Sequence, residues 1–108
     1  MIDILGTELK VGDIVAHGTR AGNSGDLNIK VIAEFKQEPS RYGSGMVDMV
    51  KVINYNYVTQ DFDRETRTWS DVFPHYEKGG TGWSSGYSML VVNESVNQKL
   101  KDFLKGLV

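Results

Sequence analysis

Residues Met46 to Thr59 (MVDMVKVINYNYVT) constrain the fold most. This run is rich in Val, Ile and Tyr, with no proline or glycine to interrupt it, and such residues favour a pleated, half-buried surface over a helix. Val47, Met49, Ile53, Tyr55 and Tyr57 share one face at period two, but so does Lys51, while Val50 and Val52 sit opposite. The conflict has two solutions. Either Lys51 carries its ammonium out to water along its aliphatic stem, or a β-bulge exchanges the faces within the strand. A bulge suits a strongly bent sheet and is the reading favoured here.

Other segments read the same way. Asn28 to Phe35 alternates, with Ile29, Val31, Ala33 and Phe35 on one side and Ile32 as the exception. Ahead of it, Leu9-Lys10-Val11-Gly12-Asp13 is a turn feeding Ile14-Val15-Ala16: Gly12 supplies an unusual backbone angle, and Asp13 can bond the backbone just before the strand. Gly18 to Asp26 (GTRAGNSGD) and Gln37 to Gly45 read as loops, and Asp61 to Arg67 reads as a hairpin turn returning through Thr68 and Trp69. Residues 70 to 86, with Pro74 and four glycines, read as irregular, and Tyr87 to Val92 as a closing strand. Asn93 or Ser95 then caps a helix over about 94–105, with Ser95 and Gln98 at capping-box spacing and Gly106 at its end. Val96, Leu100, Phe103, Leu104 and Leu107 recur on one side of it, with Lys99, Lys101, Asp102 and Lys105 on the other.

The expected fold is therefore mainly β. Residues 1–108 form a single domain: a small SH3-like barrel or strongly bent antiparallel sheet of five or six strands, one end covered by a C-terminal α-helix. A chain of 108 residues that is 40% hydrophobic and 24% charged can bury one core. A net charge of −2 provides no footprint for nucleic acid. With no cysteine, disulfides, thiolate nucleophiles and Cys-type zinc sites are excluded. The longest apolar runs are three or four residues, such as Met89 to Val92, and the N-terminal segment lacks the pattern of a secretory signal. No membrane association and a cytoplasmic location follow as expectations.

Residues 8 to 32 (ELKVGDIVAHGTRAGNSGDLNIKVI) resemble the opening of small SH3-like barrel proteins encoded by tailed bacteriophages, in which a Gly-Asp-x-Val strand leads through an Arg-containing Gly-Asn-Ser loop into a second strand. The Tyr-rich strand at 53 to 58 and the closing strand with its helix fit the same pattern. The resemblance implies a phage or prophage origin, with the host cytoplasm as location, and a compact β fold. It implies no activity and no site residues.

Chemistry-bearing patterns are sparse. His17 and His75 lack the spacing of a metal pair and read as a strand-edge and a loop histidine. Asp61, Asp63 and Glu65 resemble the first ligands of a calcium loop, but Thr66 stands where that loop needs glycine and Val72 where it needs glutamate. They read as a solvated hairpin tip beside Arg64 and Arg67, so neither metal nor other cofactor is expected. No G-x-S-x-G elbow or phosphate-loop signature occurs, and no catalytic residue is assigned. Thr19, Arg20, Asn23 and Ser24 would suit an anionic ligand.

Trp69, Phe73, Tyr76, Trp83 and Tyr87 cluster in or beside one irregular segment. Two or three of these rings either plug the end of the core or form a protein-binding patch, for which Phe73, Tyr76 and Trp83 are the candidates. The function expected is a non-enzymatic accessory protein that binds a host or viral protein, or a second copy of itself. A nucleic-acid-binding barrel is the alternative, and an anion-binding protein or enzyme working through residues 18–26 is the third reading.

Overall fold

The computed structural model describes residues 1–21, 24–85 and 88–108, without the side chains of Thr19, Arg20, Ala21 and Ser24. Five strands, β1 (Ile14–Ala21), β2 (Ser24–Pro39), β3 (Met46–Asp63), β4 (Thr68–Ser84) and β5 (Met89–Val91), precede one helix, α1 (Gln98–Lys105). The strands form a single antiparallel sheet in the order β4-β3-β2-β1-β5. It is an open sheet rather than a closed barrel: β4 and β5 stand at opposite edges.

Gly12 adopts φ 91°, a left-handed backbone that glycine takes without strain. The Asp13 carboxylate accepts from the Lys10 N–H at 2.9 Å, which closes the turn ahead of β1. Its other oxygen accepts from the Asn93 side-chain amide at 3.1 Å, and the Asn93 carbonyl oxygen accepts from the Ile14 N–H at 2.7 Å. Asn93 thus ties the start of β1 to the chain leaving β5 instead of capping the helix. The cap is Asn97, whose side chain accepts from the Leu100 N–H at 2.9 Å, and the helix starts later than Ser95 would place it. Gly106 ends α1 with an ordinary right-handed φ of −71°.

Both faces of the sheet are covered, and this explains the broken alternation. Ile14, Val31 and Ile53 lie in one cross-strand row and are buried with Leu100 and Leu104 of α1. Val15, Ile32, Val50, Val52 and Met89 are buried on the opposite face beneath Met1 and Leu9 of the N-terminal leader. Each adjacent apolar pair, Ile14-Val15, Val31-Ile32 and Val52-Ile53, therefore sends one side chain into each core. The helix covers a face of the sheet, not an end.

The leader is held by one carboxylate. Asp3 is buried and accepts N–H bonds from Leu5 and Thr7 at 2.9 Å and from Val91 at 3.0 Å. These bonds, that from Val91 foremost, hold its pKa below the usual aspartate value against the opposing effect of burial. The Ile4 N–H also donates to the Met89 carbonyl at 3.0 Å, so the leader covers part of the outer edge of β5.

The bulge expected inside β3 is not there: Val50 and Val52 face one core and Ile53 and Tyr55 the other in unbroken alternation, and the additional residues at its register shifts belong to β2 and β4. One shift lies against β2 between Ile32 and Glu34, where Ala33 is the additional residue. Two lie against β4, between Ile53 and Tyr55 and between Val58 and Gln60. The shift at Ala33 also exchanges the faces of β2, so that Phe35 no longer shares the side of Ile29 and Val31.

The segment from 70 to 86 is the largest correction. Most of it is β4, a strand of 17 residues. Its proline and glycines mark places where pairing shifts: Gly79 adjoins the first shift against β3 and Pro74 the second. An edge strand tolerates both, because the missing N–H of proline and the missing side chain of glycine disturb a ladder on one side only. Residues 18–21 and 24–26, read as part of a loop, are instead strand residues of β1 and β2, paired as far as Ala21 and Ser24; residues 22 and 23 lie outside the described residues.

Pairing of β3 with β2 ends at Ile53. From Asn54 onward β3 pairs with β4 alone, and the two strands project as a ribbon closed by residues 64–67. The molecule is elongated, 55 × 31 × 24 Å, with a radius of gyration of 16.5 Å, against about 13 Å for a compact domain of this length.

Candidate functional site

The ribbon has two unlike faces. On the side of α1, Tyr76 stacks edge-on to Tyr55 (centroids 5.6 Å apart) and lies 5.2 Å from Tyr57 and 5.8 Å from Phe103 of the helix. Tyr76 is half-buried there, and burial pushes the Tyr55 phenol above its usual pKa. These rings root the ribbon in the core.

On the other face the register brings Val58, Gln60 and Phe62 of β3 opposite His75, Asp71 and Trp69 of β4. Phe62 and Trp69 form a cross-strand ring pair with centroids 5.0 Å apart, yet Phe62 remains 41% and Trp69 65% exposed. Phe73, between them and the root, is 85% exposed. Gln60 donates to Asp71 at 3.1 Å. His75 faces the Phe73 carbonyl at 2.9 Å and Glu77 at 2.8 Å, one oxygen at each ring nitrogen. Among the described residues the strands place no Lys or Arg on this face; its charges are Asp71, Glu77 and whatever His75 carries.

The three rings singled out as a protein-binding patch do not lie together. Phe73 stands free, Tyr76 is in the packed root, and Trp83, 36% exposed, lies at the base of β4 under the Lys36 ammonium, 3.9 Å from the ring centroid. Phe62 and Trp69 form a ring pair near the tip that was not among the three rings singled out: Phe62 was read as part of the turn, whereas it belongs to β3 and pairs with Trp69 across the ribbon.

The remaining candidates stay dispersed. His17 is buried in β1, far in the fold from His75 on the ribbon. Its Nε2 lies 3.4 Å from the Ser84 hydroxyl, while Nδ1 has no partner among the described residues. No group of three or more metal-ligating side chains gathers among the described residues. Asp63 closes the ribbon tip by accepting from the Glu65 N–H at 2.9 Å. Of the anion-binding candidates, Thr19, Arg20 and Ser24 occupy paired strand positions, and Asn23 lies outside the described residues, as does Tyr87. A groove of about 380 Å³ between the leader and the β2–β3 hairpin is lined by Met1, Phe35, Lys36, Asp48 and neighbours. Its polar groups are engaged within the chain: Lys36 pairs with Glu38 and covers Trp83, and Asp48 accepts from Gln37.

The pKa values of the two histidines are shifted in opposite directions. Burial, with Lys30 nearby, lowers the pKa of His17 below 6.5. The Phe73 carbonyl and then Glu77 raise that of His75 above 6.5. Stability tied to His17 is present above 6.5 and lost as pH falls, because the unfolded chain protonates first. Stability tied to His75 is present below 6.5 and lost as pH rises through its raised value. Ring C–H shifts followed by NMR across this range should show His75 losing its proton at the higher pH. The reverse order would contradict both placements.

No helix among the described residues is long and apolar enough to cross a membrane. Comparison with protein-family models, with curated proteins and with solved structures finds no match to this chain.

Proposed function

We propose that this chain is a small non-enzymatic accessory protein that acts by binding another protein, with the β3–β4 ribbon as its contact element. One observation carries the reading: a projecting ribbon leaves Phe62, Trp69 and Phe73 exposed on a face that neither the leader nor α1 covers. Exposed rings on an ordered scaffold are costly to keep in water, and Trp is enriched among residues that dominate binding energy. The resemblance of residues 8–32 to the opening of phage barrel proteins supports a phage-encoded origin, and with it a host or viral protein as the partner. A nucleic-acid reading is disfavoured by the charge of residues 54–78, which carry five carboxylates against three Lys and Arg.

Capture from nuclease-treated host lysate tests the reading, with Trp69→Ala and Phe73→Ala beside the unaltered chain. A protein held by the unaltered chain should be lost from both variants, while their melting temperatures move by only a few degrees. Retention of the same proteins by all three forms would remove the ribbon from the function. Tyr76→Ala, by contrast, should unfold earlier, because its ring packs between the ribbon and α1.

A further inference from the structure

Resting on the ribbon as the contact element, we propose that its occupant is a basic segment of a partner protein, whose Lys or Arg side chains seat on the rings of Phe62 and Trp69 and pair with Asp71 and Glu77. Charge complementarity commits the face to such a partner. The register gives it exposed rings and two carboxylates, Asp71 and a Glu77 that faces His75, with no Lys or Arg from the strands; Arg64 and Arg67 stand in the turn beyond the ring pair. Asp71 is bonded only to the neutral Gln60 amide, and no cation covers the Trp69 ring among the described residues.

The chain already contains this mode of contact at the other end of the same strand. Trp83 is covered there by the Lys36 ammonium at 3.9 Å. A cation over an indole is held by the negative face of the ring, and the attraction grows when the partner excludes water. Trp69 offers the same ring, more exposed and without a cation from its own chain among the described residues. A phosphate backbone would meet Asp71 and Glu77 as like charges. A second copy laid face to face would bring the same carboxylates together, as well as the same rings.

The test uses the full chain carrying Trp83→Phe, so that Trp69 alone reports by fluorescence. The probes are an alternating Arg-Gly peptide and Gln-Gly and Glu-Gly peptides of equal length. The Arg-Gly peptide should give a saturable change in Trp69 emission that weakens as salt is raised, and the other two should give none. Calorimetric titration of the unaltered chain against Trp69→Ala should show affinity for the Arg-Gly peptide falling about tenfold or more, equivalent to about 1.4 kcal/mol. Asp71→Asn should weaken it by a smaller factor at low salt.

Equal binding of the Gln-Gly peptide, or Arg-Gly binding unchanged in Trp69→Ala, overturns the basic partner. So does concentration-dependent self-association in sedimentation that Trp69→Ala abolishes, since the occupant is then a second copy. If no peptide binds while lysate capture still depends on Trp69 and Phe73, the basic chemistry fails and the ribbon reading survives. If both measurements are negative, both fail.

Discussion

Leu104→Ala should lower the unfolding free energy by about 2–5 kcal/mol, out of a total of about 5–15 kcal/mol for a domain of ordinary stability. Leu104 is fully buried, in one cluster with Ile14, Val31, Ile53 and Leu100. The cluster it belongs to joins the helix to residues of β1, β2 and β3. Truncation leaves a cavity that the sheet cannot collapse to fill, because the opposite face of the same strands is occupied by the second core. Thermal and urea unfolding should both report the loss, with a drop in melting temperature of about 10 °C or more. Leu107→Ala, at the partly buried end of the same stripe, should cost less. An unchanged melting temperature for Leu104→Ala would mean that α1 is not packed on the sheet. The effect should extend to the ribbon, since Phe103, the neighbour of Leu104, touches Tyr76 at the root.

Gly79→Ala should destabilise by about 1–3 kcal/mol, the range for forcing atoms into an occupied space, while Gly80→Ala next to it should move stability by less than about 0.5 kcal/mol, as surface changes usually do. A Cβ on Gly79 would lie 3.0 Å from the Asn54 carbonyl carbon, 3.1 Å from its oxygen and 3.1 Å from the Tyr55 nitrogen. All three atoms are backbone, so relief requires the strands to move apart where pairing shifts between Ile53 and Tyr55. A Cβ on Gly80 meets nothing within 4 Å. Amide shifts of Tyr55 and Tyr57 should change in the first variant and not in the second. Equal melting temperatures for the two variants would show that the close approach at Gly79 does not exist in solution. This shift is where β3 leaves the part of the sheet in which it pairs on both sides and becomes half of the ribbon, so Gly79 sets the path of the ribbon as well as contributing to stability.

Much of the architecture was legible in the chain because it rests on short-range chemistry. Gly12 and Asp13 announce their turn through one backbone angle and one carboxylate, and both act as their residue types require. The helix announces its packed side because Leu100 and Leu104 fall one turn apart. The hairpin tip is marked by its polar residues Arg64 to Arg67, although Asp61 to Asp63, read as part of the turn, belong to β3. The conflict between Lys51 and the Val50 and Val52 pair is resolved by two cores, one on each face, and not by a bulge in β3.

What tertiary structure decided are the features that depend on partners distant in sequence. Asn93 looks like a helix cap because Asn is a good one; that it bonds Ile14 and Asp13 follows from β5 lying beside β1. Ile32 breaks the alternation of its strand only while a single core is assumed, and a leader folded over the far face makes its burial necessary. Proline and glycine in β4 argue against a strand by composition, yet an edge position beside a long partner tolerates them. The same placement separates Phe73, Tyr76 and Trp83, which share a segment but not a surface, and joins Phe62 to Trp69 across the turn. The residue types that favour binding were written in the sequence. Which rings are buried as a root and which are left facing water was settled by the register of two strands and the position of α1.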